Sequence, residues 1–144
     1  MSASTGWFYW ALLSAGFAAL TAIFAKIGVS GVDSDYATLV RTVVIVLVLA
    51  AFVGLAGKWR DPRQLPARSL LFLVLSALAT GASWVCYFRA LKIGEASQVA
   101  PVDKFSLVLV ALFAFVFLGE RPSGREWLGI GMVAAGVLVL ALKR

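Results

Sequence analysis

Apolar residues run along this chain in five long blocks, at 7–27, 36–57, 69–91, 96–118 and 127–142, separated by short polar stretches. A helix needs about 20 apolar residues to cross about 30 Å of hydrocarbon, and the first four blocks reach that length. The fifth is shorter, but residues 124–126 and the terminal Lys143 and Arg144 extend it by snorkelling to the interface. The pattern predicts five transmembrane helices. Between spans two and three, the loop 58–68 holds Pro62 and Pro66 with Lys58, Arg60, Arg63 and Arg68, so it belongs in water rather than in a helix interior. Residues 119–124 break the chain again. Only Lys92, Ile93, Gly94 and Glu95 separate spans three and four, which demands a tight antiparallel hairpin. Trp7, Phe8, Tyr9 and Trp10 open the first span and suit an interfacial aromatic belt. Residues 1–6 carry no Lys or Arg, and the run behind them is long enough to span, so it reads as a retained helix and not as a signal peptide.

Composition supports the same reading. Of 144 residues, 62% are hydrophobic and 14% charged, and the mean hydropathy is +0.96. A soluble domain would carry roughly a quarter charged residues. The chain is thus expected to be an all-α integral membrane protein, a single membrane domain over 1–144 with no soluble domain. There is no histidine and one cysteine, Cys86, which excludes a disulfide scaffold and a Cys/His zinc site. Cys86 fits a small packing residue on an apolar helix. No clustered carboxylates accompany it, so an enzyme is not expected, nor is a metal or cofactor. The net charge of +6 does not point to nucleic acid, because the basic residues flank the apolar blocks and anchor them to membrane lipid. No GxxxxGK[ST] motif is present, so this chain does not hydrolyse ATP through a P-loop.

Orientation is left open. Lys58, Arg60, Arg63, Arg68, Arg121 and Arg125 lie on one side of the membrane, and Lys26, Arg89, Lys92, Lys143 and Arg144 on the other, with Arg41 slightly deeper. Such a balance gives the positive-inside rule almost nothing to act on. A fixed topology with the N-terminus inside, set by the dense loop 58–68, and insertion in both directions are equally compatible with it.

Charge within a span costs several kcal/mol unless it meets a cavity or a partner. Lys26, Arg41, Arg89, Asp103 and Lys104 all fall toward the membrane face that bears the 1–2 and 3–4 loops. Snorkelling accounts for Lys26 and Arg89, while Arg41, about 8 Å into span two, fits either snorkelling or function. Asp103 and Lys104, about 12 Å into span four, point to function. Neighbouring helical positions are about 100° apart, so one of these two is expected at a cavity and the other at a partner on another helix, with Arg41 a candidate for Asp103. Three cations, Arg41, Arg89 and Lys104, against one carboxylate favour a substrate with an anionic group. Asp103 is also the one acidic group well inside a span, which makes it a candidate for proton coupling, with the adjacent Lys104 weighing against that role. Ser76, Thr80, Ser83 and Tyr87 share one face of span three, with Trp84 beside them. Trp10, Ser14, Phe17 and Thr21 repeat the pattern in span one. Together these stripes read as a cavity wall, although ordinary packing explains any single member. Pro101 removes the donor for the Ser97 carbonyl, a position suited to a hinge or a static bend. Gly129, Gly131, Ala135 and Gly136 give span five a small-residue face for packing or dimerisation.

Tyr87-Phe88-Arg89-Ala90-Leu91-Lys92-Ile93-Gly94-Glu95-Ala96-Ser97-Gln98-Val99-Ala100-Pro101, Phe117-Leu118-Gly119-Glu120-Arg121-Pro122-Ser123 and the glycine-rich 127–137 resemble one EamA domain of the drug/metabolite transporter superfamily. Phe24-Ala25-Lys26-Ile27-Gly28 and Thr38-Leu39-Val40-Arg41-Thr42 fit it as well, so the resemblance covers nearly the whole chain. Most members carry two such domains in inverted orientation; this chain carries one, like the five-helix bacterial and archaeal branch. The resemblance therefore implies a multi-pass protein of the cytoplasmic (inner) membrane that forms one half of a transport path and pairs as a dimer. An antiparallel homodimer, as in the small multidrug resistance relatives, suits the balanced charges. The implied function is secondary transport of a small-molecule substrate, a metabolite or drug, by an exporter using alternating access. Arg41, Trp84, Tyr87, Asp103, Lys104, Ser14, Thr21, Thr80 and Ser83 are the expected cavity residues. The alternative is a non-transporting membrane subunit that stabilises or regulates a partner membrane protein.

Overall fold

The computed structural model describes residues 3–142, which form helices and turns and, among the described residues, no strand. The helices are α1 (Ala3–Gly28), α2 (Ser34–Leu55), α3 (Ala67–Ile93), α4 (Ala96–Asp103), α5 (Ser106–Phe113) and α6 (Gly124–Leu142). A short 3₁₀ turn at Pro62–Gln64 sits in the basic loop, and a π-helical turn at Ala114–Leu118 continues α5. Among the described residues, five helical stretches are long and apolar enough to cross a membrane: Gly6–Gly28, Ser34–Leu55, Ala67–Ile93, Ala96–Leu118 and Gly124–Leu142. Lys143 and Arg144, expected to extend the last span, lie outside the described residues.

Local chemistry sets the ends of these helices. Asp33 caps α2, its carboxylate accepting from the backbone N–H groups of Asp35 and Tyr36, both at 3.0 Å. The apolar block predicted to run to residue 57 stops as a helix at Leu55, because Gly57 adopts φ 64° and turns the chain back. Lys58 N–H then bonds the Val53 carbonyl and Gly57 N–H the Gly54 carbonyl, each at 3.0 Å, which is a Schellman closure. Gly119, at φ 67°, ends the π turn in a similar way, with Glu120 N–H reaching the Ala114 carbonyl. The fifth span begins earlier than its apolar run, at Gly124. Ser123 N–H donates to Glu126 Oε2 at 2.6 Å, and Glu126 N–H points back to Ser123 Oγ at 3.4 Å, forming a capping box.

The chain divides into two compact units, one ending at Ile93 and one starting at Gly94. In the first, α3 packs along α2 and touches α1. Its buried residues, Ala22, Ala25, Val29, Ser34, Thr38, Phe88 and Leu91, gather where α1 ends, α2 begins and α3 ends. Apolar burial gives little net gain between helices already in oil, so small side chains and satisfied polar groups hold such a bundle. Ala22 and Ala25 allow close approach. The buried Thr38 hydroxyl donates to the Ser34 carbonyl at 2.8 Å, which satisfies it within its own helix.

In the second unit, α6 packs on α4 and α5, and the Phe115 and Trp127 rings meet edge to face at 6.3 Å. The fourth span is not one helix with a bend at Pro101. It breaks three residues later. Lys104 and Phe105 N–H groups bond the carbonyls of Pro101 and Val102 in i→i+3 fashion, at 3.0 Å each, before α5 resumes at Ser106. The donor that Pro101 lacks concerns the Ser97 carbonyl, one turn earlier, and α4 continues through the proline to Asp103 before this 3₁₀ step.

Gly57→Val is expected to destabilise the chain by about 1–2 kcal/mol, the penalty of a side chain in left-handed backbone. Gly54→Ala, inside α2 with open space at its Cβ, should leave stability unchanged or slightly raised. Denaturant titration in a mild detergent, followed by helical circular dichroism, distinguishes the two.

Candidate functional site

Arg41 lies two turns into α2, roughly 10 Å from the helix start. Trp84 and Phe88, one turn apart on α3, present their faces to it. The guanidinium carbon stands 4.2 Å from the Trp84 ring centroid and 5.6 Å from that of Phe88. The stack is the stronger for being half-buried. Arg41 Nη1 is buried and has no hydrogen-bond partner. The neighbouring Thr38 and Thr42 hydroxyls donate to the Ser34 and Thr38 carbonyls, at 2.8 and 2.7 Å, and neither accepts from Arg41 Nη1. Cation–π contact contributes about 0.5–2 kcal/mol, against roughly 2.5–3.5 kcal/mol for an arginine at mid-bilayer, an upper bound for this depth. The aromatic rings alone leave this cation under-compensated.

Two grooves flank it. The first, about 550 Å³, lies between α1 and α2 and takes in Thr21, Phe24, Tyr36, Val40, Arg41 and Phe88. The second, about 620 Å³, lies between α2 and α3 and takes in Thr38, Thr42, Ser76, Thr80 and Trp84. The stripe expected on span three is thereby divided. Ser76, Thr80 and Trp84 share the α2-facing groove, whereas Ser83, exposed, and Tyr87, half-buried, line neither groove. On α1, Thr21 reaches a groove; Trp10, Ser14 and Phe17 sit on the exposed surface of the chain.

Two other basic residues of this unit, Arg89 and Lys26, meet partners on neighbouring helices. Arg89 forms a two-pronged ion pair with Asp35, Nε to Oδ1 at 2.9 Å and Nη2 to Oδ2 at 2.6 Å, joining the end of α3 to the start of α2. Lys26 donates to the Leu91 carbonyl at 2.7 Å. That carbonyl lies in the last turn of α3, where no helical N–H follows and the helix dipole favours a cation. Snorkelling alone therefore does not describe Lys26 or Arg89. Composition signals neither contact, since the partners are 65 and 54 residues apart.

In the second unit Lys104 Nζ meets Asp103 Oδ2 at 3.2 Å. The expectation that neighbours on a helix must diverge fails here because α4 ends at Asp103: Lys104 already belongs to the 3₁₀ step, and its long stem folds back. Asp103 thus takes Lys104. The imagined excess of three unpaired cations also shrinks. Arg89 and Lys104 each hold a carboxylate; Arg41 holds aromatic rings. On α6, Gly131, Ala135 and Gly136 are exposed and Gly129 is half-buried, with open space at the Cβ position of each glycine.

Comparison with known proteins gives a consistent picture. The EamA-like transporter family matches residues 5–142. An uncharacterized transporter in the cobO 3'region of Sinorhizobium sp. is 58% identical over 139 residues, covering 96% of this chain and 99% of the relative. A probable 4-amino-4-deoxy-L-arabinose-phosphoundecaprenol flippase subunit ArnE of Yersinia pestis is 29% identical over 84 residues, covering 58% of this chain and 74% of the relative. No solved structure matches the chain.

If the Asp35–Arg89 pair ties α2 to α3, Asp35→Arg and Arg89→Asp should each lower thermal stability in detergent, and the double exchange should restore most of the loss. Failure of the exchange to restore it would show the pair to be incidental.

Proposed function

The chain belongs to the EamA-like transporter family, and on that premise we propose that it forms one half of a secondary transporter that moves a small molecule by alternating access between two five-helix halves. The observation that carries this reading is the half-buried Arg41, a cation set among open and otherwise largely apolar grooves of the first unit. Arg41, Thr42 and Thr80 border grooves that are uncovered in a single chain. Facing lipid, such a surface is costly; facing a second half, it lines a wet passage. Arg41, Trp84, Thr21 and Thr80 are the cavity residues best supported by these grooves. Tyr87, Ser83, Ser14, Asp103 and Lys104 remain proposed contributors, to be reached as the halves move. The 3₁₀ step after Pro101 supplies a place for the fourth span to flex.

The second half is most simply another copy, inverted, since the basic residues on the two sides nearly balance. The exposed small-residue face of α6 at Gly131, Ala135 and Gly136 is its proposed contact, helped by Gly129. Export across a bacterial or archaeal inner membrane is the direction and place we propose. A second reading draws on the relatives named as a flippase subunit: the partner half would be a different membrane chain.

Reporters fused to the C-terminus should give signal on both sides of the membrane, as an antiparallel homodimer requires; a single side favours the different-chain reading. Crosslinking in mild detergent should yield a dimer that Gly131→Leu and Leu140→Arg weaken several-fold. A dimer indifferent to both removes α6 from the interface, and a chain that stays monomeric without a partner removes the homodimer.

A further inference from the structure

The α1–α2 groove joins one cation to a wall of hydrocarbon. Ten residues border it, and Arg41 alone among them is charged. Phe24, Val32, Val40 and Phe88 supply apolar surface, and Phe24 and Val40 are exposed, so the groove is open in the single chain. At about 550 Å³ it is of ligand size. Within the same unit the carboxylate of Asp35 is taken by Arg89 and that of Asp33 by the α2 N-terminus. Arg41 meets Trp84 on one side, and its buried Nη1 lacks an acceptor.

A guanidinium is matched best by a carboxylate or phosphate that accepts two N–H bonds at once. An organic cation would meet it as a like charge. A small soluble anion would satisfy Arg41 but leave the apolar wall unused. We propose that the groove binds an amphiphilic anion, an oxyanion head on Arg41 with a hydrocarbon tail along Phe24, Val32 and Val40. This rests on the transporter reading and names the substrate class for that same site. Trp84 holds the guanidinium in place while the groove is empty and loses part of that contact when the head arrives.

The test uses the full chain in phosphatidylcholine nanodiscs, titrated with dodecyl phosphate, butyl phosphate, inorganic phosphate and dodecyltrimethylammonium, with tryptophan emission and thermal stability as readouts. Dodecyl phosphate should bind saturably, and Arg41→Gln should weaken it by about tenfold or more, with Arg41→Lys retaining part. Gly28→Leu lines the same groove, has open space at its Cβ and keeps the cation. It should weaken dodecyl phosphate more than butyl phosphate, and it carries the test if Arg41→Gln does not fold. Unchanged dodecyl phosphate binding in Arg41→Gln, or in Gly28→Leu, overturns the proposal. So does inorganic phosphate binding as tightly as the dodecyl ester, or binding of dodecyltrimethylammonium in its place. Arg41-dependent binding with no movement of dodecyl phosphate in proteoliposomes would sink the transport reading and leave this site standing. Transport of other solutes without such binding would do the reverse.

Discussion

An arginine two turns inside an apolar helix has to be compensated, and the way Arg41 is compensated organises the first unit. Two aromatic rings one turn apart on α3 take the flat face of the guanidinium, which fixes how α2 and α3 lie against each other. Thr38, three residues before it, and Thr42, next to it in sequence, donate their hydroxyls within α2, and neither accepts from Arg41 Nη1. The cation is therefore positioned but not neutralised. A buried ion pair would have made it a structural pin; the stack leaves it available to an oxyanion.

The other charges follow the opposite logic. Asp35 with Arg89, and Lys26 with the Leu91 carbonyl, close the end of the first unit where the three helices meet. Around these contacts sit its most buried side chains, with Leu91 at 0% and Phe88 at 3% exposure. In a lipid solvent, where apolar contact is a weak discriminator, these few polar ties do much of the selecting of one packing over another. The second unit contrasts with this. Its fourth span is interrupted by a 3₁₀ step and finished by a π turn, both departures from the regular ladder that mark places of easier bending.

The five spans were legible because hydrocarbon thickness imposes a length and a polarity on each, and the loops carry the prolines and charges that cannot enter. Family membership was equally legible, from 87–101, 117–123 and 127–137. The site was legible only in part. Arg41 and Trp84 stood out as a charge and a large aromatic within spans. Their meeting, and that of Arg89 with Asp35, depends on how α2 and α3 are paired, which a single sequence does not encode locally. The Asp103–Lys104 contact was not anticipated because regular helix was expected across both residues, whereas α4 ends at Asp103 and Lys104 lies in the 3₁₀ step. Two signals were present and unused: the Ser123-x-x-Glu126 capping box, and Thr38, Arg41 and Thr42 at i, i+3 and i+4 on one face.

All of this stands on one face of α2 looking onto water rather than lipid. Single cysteines placed along α2, in a chain with Cys86→Ala, can be treated with a membrane-impermeant maleimide in sealed vesicles. The account predicts reaction at Arg41→Cys, Thr42→Cys and Ile45→Cys and protection at Val43→Cys, Leu47→Cys and Ala50→Cys. Protection at every one of these positions, or reaction with no helical periodicity, would contradict it.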